Sequence, residues 1–253
     1  AHHHLGLAML AHERGDDAAF AQSWQAAERL GQRTTLVDWA YRWNLAQARL
    51  RASESQWDAA LNLLDAAQRA YVKNPIPILQ PISARKARIH LKQGRLDRAQ
   101  VWARERGLSL TDDVSYMAEY EHLTLARVRL AEGSVSSLYD LLGSLLALAE
   151  SQQRMGSVVE ILLTQALAHQ IQGALPHAFA ALDRALTLTV PEGWIRVFVD
   201  EGEAMRSLLS AYRETMPASN AQLRDHVENI LARFPQTTAA VRQAHPAHLA
   251  PGL

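Results

Sequence analysis

Small turn-forming residues return along this chain at nearly constant intervals, at Gly15, Ser55, Gly94, Gly133 and Gly173, with spacings of 40, 39, 39 and 40 residues. A fixed period of this length marks a stack of similar supersecondary units. The register around each turn supports the same reading. Seven residues before it stands alanine every time (Ala8, Ala48, Ala87, Ala126, Ala166), ten before it Leu5, Leu45, Ala84, Leu123 and Leu163, and five before it Leu10, Leu50, Ile89, Val128 and Ala168. On a helix, offsets −10, −7 and −3 share one face, while −5 and −12 lie nearly opposite. Each first helix is therefore expected to be buried on two faces, with the small −7 residue allowing close axis approach. The fifth residue after the turn is Ala60, Ala99 and Ala178 in three units, Leu138 in another and Phe20 in the first.

The fold expected is all-α: a tetratricopeptide-like superhelix of about five helical hairpins with a period near 40 residues, plus a short terminal helical pair. This period is longer than the usual repeat of about 34 residues. First helices are placed at 2–13, 36–54, 79–92, 114–131 and 156–171, and second helices at 17–30, 56–72, 96–106, 135–150 and 175–189. Breakers separate them: "NPIPILQP" (74–81) excludes a continuous helix, and "GLSLTDD" (107–113) reads as a loop closing on an N-cap aspartate. The repeat domain is assigned to 1–233. The last stretch, 234–253, holds three prolines and no sustained apolar stripe, and reads as a tail or linker.

Hydrophobic content of 48% suffices for a core. Basic and acidic residues balance at 26 each, which leaves no electrostatic footprint for nucleic acid or an anionic membrane. Only Lys73, Lys86 and Lys92 are lysines, so arginine dominates the basic set. Without cysteine there is no disulfide, thiolate metal site or cysteine nucleophile, as suits a cytoplasmic protein. No phosphate loop, dinucleotide fingerprint, H-E-x-x-H or G-x-S-x-G occurs, so neither catalysis nor a cofactor is expected of this segment. His2, His3 and His4 are consecutive, and on a helix they diverge by about 100° each, which suits a helix start better than a metal site. Asp16/Asp17 and Asp112/Asp113 precede helices, where carboxylates favour the positive end of the helix dipole.

Two patterns are candidates for binding a ligand or partner. Six residues before the turn the three central units carry Arg49, Arg88 and Arg127. In a tetratricopeptide register that position faces the concave groove, and the three guanidiniums form a ladder able to hold a phosphate, a carboxylate or an acidic segment. The competing reading pairs each arginine with a carboxylate on a neighbouring helix. A second row, Arg51, His90, Arg129 and His169, points toward the partner helix. Trp39, Trp43 and Gln47, at i, i+4 and i+8, share a face that either stacks on a planar ligand or packs in the core.

Several stretches together resemble the MalT-like, LuxR-type ATP-dependent bacterial transcription regulators: "YRWNLAQARLRASESQWDAALNLLDAAQRAYV", "ARERGLSLTDDVSYMAEYEHLTLARVRLA", "GSVVEILLTQALAHQIQG" and, most specifically, "ALTLTVPEGWIRVFVDEGEAMRSLL". Within the last, "PEGWIRVFVDEG" is similar to the family's junction after its final full repeat. It is expected to form a short helix whose Ile195, Phe198 and Val199 dock on the superhelix end. The resemblance implies the sensor region of such a regulator, lacking the nucleotide-binding module before it and the helix-turn-helix after it. Its partners would be a small-molecule inducer or regulatory protein and the intramolecular nucleotide-binding module, with no nucleic acid bound directly. The alternative is a general scaffold that grips a peptide or partner protein in its groove.

Overall fold

The computed structural model describes residues 1–73, 77–135, 137–217 and 220–235. Five helical hairpins follow one another: α1 (His2–Arg14) with α2 (Asp17–Gly31), α3 (Trp39–Ser53) with α4 (Trp57–Ala70), α5 (Ile82–Lys92) with α6 (Leu96–Arg106), α7 (Glu119–Ala131) with α8 (Leu138–Ser151), and α9 (Met155–Ile171) with α10 (Leu175–Thr189). A single-turn helix, α11 (Arg196–Val199), then leads into α12 (Glu203–Thr215) and α13 (Ala221–Ala232). Among the described residues there is no strand, and no helix is long and apolar enough to cross a membrane.

The periodic residue is the left-handed position that ends each first helix. Gly15, Ser55, Gly94, Gly133 and Gly173 have φ of 66°, 59°, 72°, 74° and 74°. In every case the next N–H reaches back five residues, from Asp16 to the Ala11 carbonyl, Gln56 to Arg51, Arg95 to His90, Ser134 to Arg129 and Ala174 to His169, at 2.8 to 2.9 Å. This closure satisfies carbonyls the helix would otherwise leave unpaired and turns the chain sharply into the second helix. The five alanines of the −7 row are at most 2% exposed, consistent with close helix approach. The −5 row is buried at Ile89, Val128 and Ala168, but Leu10 is 41% exposed, because α1 has a hairpin neighbour on one side only.

Four helices start three or more residues later than the sequence expectation, α3 at Trp39 against 36 and α8 at Leu138 against 135 among them. Helix α5 begins at Ile82, with Pro81 in the capping position. Helix α7 begins at Glu119 rather than 114: Asp112 accepts the Ser109 N–H at 2.8 Å and so shapes the preceding loop, while Ser115 Oγ accepts the Ala118 N–H. Asp16 does cap α2, accepting the Ala19 N–H at 2.9 Å. Phe198 and Val199 are buried and Ile195 packs on the same core, so the junction helix docks as its sequence indicates. Phe234, at the head of the expected tail, is buried in this core too; residues 236–253 lie outside the described residues.

The stack closes on itself. The Ile195 N–H donates to the Glu13 carbonyl at 2.9 Å and the Val197 N–H to Glu13 Oε1 at 2.7 Å. Arg14 holds the carbonyl and carboxylate of Glu192 at 2.9 and 3.1 Å. Arg233, after α13, reaches Asp17 and the Gly15 carbonyl at 2.9 and 2.5 Å, with its guanidinium lying where a Cβ on residue 15 would make contact. The first hairpin is thus clasped by the terminal helices, and the first helices of the five hairpins encircle a central space.

Candidate functional site: the central cavity

That space is a cavity of about 880 Å³ lined by α1, α3, α5, α7 and α9 and by the segment around α11. Arg49, Arg88 and Arg127 all line it, as the −6 register requires. Each, however, already has an acidic partner. Arg49 pairs with Glu13 on α1. Arg88 Nη1 lies 2.5 Å from Glu160 Oε1 on α9, its Nε donates to Thr124 Oγ1 at 2.7 Å and its Nη2 to the Tyr120 carbonyl at 3.1 Å. The same guanidinium sits 3.7 Å from the centre of the Tyr120 ring. Arg127 binds Glu160 at 3.2 Å, Glu201 at 2.5 Å and Thr164 Oγ1 at 2.9 Å.

Burial works against charge on both sides of this network, and proximity overrides it. At Glu160 burial would raise the carboxyl pKa, yet Arg88 and Arg127 pull it below its usual value. At Arg88 burial would lower the pKa, and Glu160 with Tyr120 raises it instead. Arg88 and Glu160 therefore stay ionised together. The ladder is a cross-cavity brace between repeats, the geometry of the competing sequence reading. The second arginine and histidine row is occupied locally: Arg51 with Glu54, Arg129 with Glu132, His90 with Gln93, and His169 stacked on Tyr139.

Trp39, Trp43 and Gln47 lie outside the cavity lining. Trp39 and Trp43 are half-buried members of an aromatic stack that runs Phe20, Trp24, Trp43, Trp39, His2, with neighbouring centroids 5.4, 4.3, 5.3 and 5.8 Å apart. It joins α1, α2 and α3. A Cβ on Gly31 would fall 2.0 Å from the Trp39 ring, so the end of α2 needs glycine there. Gln47 is half-buried. The tryptophans are correspondingly poorly placed to stack on a cavity ligand. A second aromatic pair on α2, Phe20 and Trp24 at i, i+4, was the sequence signal for this packing role.

Sequence reasoning did not single out Arg85 and Lys92, which share the cavity face of α5 with Arg88. Arg85 donates to the Gln80 carbonyl and side-chain oxygen at 3.3 and 2.5 Å, both neutral. Lys92 has no hydrogen-bond or ion-pair partner among the described residues. Its side chain is open to the cavity, but protein walls surround it, and that burial lowers its pKa against the opposing influence of Asp200 and Glu201. No group of metal-ligating side chains comes together among the described residues.

The family model of the MalT-like TPR region matches residues 1–215. No curated protein matches the chain.

Proposed function

Because the chain belongs to the MalT-like TPR region family, we propose that it is the signal-binding regulatory domain of an ATP-dependent, LuxR-type transcription activator. In this reading an inducer enters the central cavity, and its presence is transmitted to nucleotide-binding and helix-turn-helix modules elsewhere in the protein. The observation that carries the reading is the clasped ring around a cavity lined by apolar side chains and a set of charged ones. A ligand there touches helices from several repeats at once, so binding biases how those repeats sit relative to one another, which is what a regulatory domain must do. The domain itself performs no chemistry and acts in the cytoplasm.

The test is a thermal-shift screen of sugars, organic acids and phosphorylated metabolites against the purified chain. A ligand at about 100 times its Kd adds about 2.7 kcal/mol to stability. The gene supplies the second arm: a phosphate loop encoded before this region and a helix-turn-helix after it. A gene lacking both removes the regulatory reading and leaves a scaffold.

A further inference from the structure

We propose that Arg85 and Lys92, on the cavity face of α5, form the binding site for the phosphate or carboxylate group of a small anionic ligand. This rests on the regulatory reading above and specifies the chemistry of its signal.

The argument is one of charge pairing. Each carboxylate lining the cavity is already committed to an arginine: Glu13 to Arg49, Glu160 to Arg88 and Arg127, Glu201 to Arg127, and Asp200 to Arg196. Arg42, at the rim, has Asp38 at 2.6 Å. Among the described residues two cationic side chains of the lining remain without a paired carboxylate, Arg85 and Lys92. They are seven residues apart on one helix, hence on one face and about 10 Å apart along the axis. Between them Arg88 is held by Glu160 and covered by the Tyr120 ring, so it fixes the wall without taking up the space.

The carboxylates nearest Lys92, Asp200 and Glu201, are already paired with Arg196 and Arg127, so its ammonium, open to the cavity, is left to gain a partner when an anion arrives. The lysine supplies a compact charge and the arginine a planar fork, together suited to an oxyanion. A small molecule fits better than a protein segment, because the ring of helices surrounds the space on its sides. The depressed proton affinity of Lys92 agrees with this placement, since an arriving anion would reverse it.

Pyrophosphate and citrate are the probes, titrated calorimetrically into the whole 253-residue chain at low salt and at about 0.15 M. Saturable binding of one molecule per chain is expected for at least one of them. Lys92→Gln and Arg85→Gln should each weaken it by about tenfold or more. Lys92→Arg should keep most of it, and Arg98→Gln, on the exposed outer surface, should leave it unchanged. Melting temperatures taken alongside show that the variants are folded. Absence of saturable binding by both probes overturns the proposal, as does binding that survives both glutamine variants. A neutral ligand found in the screen above, stabilising wild type and Lys92→Gln equally, overturns this inference while the regulatory reading stands. An acidic peptide that binds through Lys92 when neither small anion does also overturns it. A gene without the nucleotide-binding and DNA-binding modules removes the regulatory reading even if the anion binds.

Discussion

From α7 to α13 the buried side chains form one continuous cluster, with Leu142, Leu163, Leu186 and Phe198 fully enclosed, whereas the first three hairpins divide their burial largely among three smaller clusters rich in alanine. The architecture is the same and the hydrophobic content is not. Helix α9 buries eight residues, among them Val158, Ile161 and Leu163, while α3 buries only Ala46 and Ala48. In a stack whose stability is a sum over neighbouring units, such a gradient makes one half a platform and the other a compliant arc. The cavity spans both halves, and the clasp fastens the free end of the arc back to the platform. Under the regulatory reading proposed above, this division would let the α9 wall hold its shape while the wall bearing Arg49 and Arg85 adjusts to a ligand.

The largest expected effect tests that gradient directly. Leu163→Ala, in the continuous core, should cost about 3–5 kcal/mol and lower hydrogen-exchange protection throughout α7 to α13. Leu64→Ala, 2% exposed in a small cluster, should cost about 2–3 kcal/mol, with the loss of protection confined to α3, α4 and α5. Equal losses spread over the whole chain in both variants would erase the distinction between platform and arc.

Acid provides the next test, at the join between the two regions. His12 lies beside the clasp, and burial first, then Arg196 and Arg49, lower its pKa from 6.5 to about 4. As pH falls through 6.5 the unfolded chain takes up this proton while the folded chain does not. The contribution is therefore complete above about 6.5, declines down to about 4 and is constant below. Its size is about 3 kcal/mol at most. His226, buried against the platform, shifts in the same direction. Unfolding midpoints measured from pH 7 to 4 should fall, and His12→Gln should flatten part of that slope. An unchanged slope in this variant would mean that His12 does not couple acid to the clasp.

The smallest effect concerns the arc's own turn chemistry. Ser55 adopts the left-handed conformation that glycine supplies at the other four turns, so Ser55→Gly should raise stability by up to about 1 kcal/mol. A lower melting temperature would show that the serine side chain matters more than the backbone conformation.

These tests also separate what could be read from the sequence from what could not. The hairpins were legible because the left-handed turn demands a small residue, and that demand repeats in the text of the chain. The direction of Arg49, Arg88 and Arg127 followed from the same register. Their partners did not: Glu160 and Glu201 are 72 and 74 residues from the arginines they neutralise, on other turns of the stack. The role of "PEGW" was half legible. Its apolar residues announced docking, but nothing in the sequence of Glu192 or Ile195 indicates Glu13 and Arg14 as the groups they meet. The late start of α7 was hidden because an aspartate that caps a helix and one that shapes a loop look alike until the accepting oxygen is located.

The clasp has a numerical consequence. An open solenoid is indifferent to its length, and one hairpin more or fewer leaves every other contact as it was. Here Ile195 finds Glu13 only because the intervening inner helices bring the chain back to α1. One additional element would carry Ile195 past its acceptor by about the width of a helix, roughly 10 Å, and one fewer would leave a gap of the same size. The repeat count is thereby fixed as the number of staves is fixed in a barrel of given curvature. Duplication of a hairpin, harmless to an open stack, would unseat the join in this one.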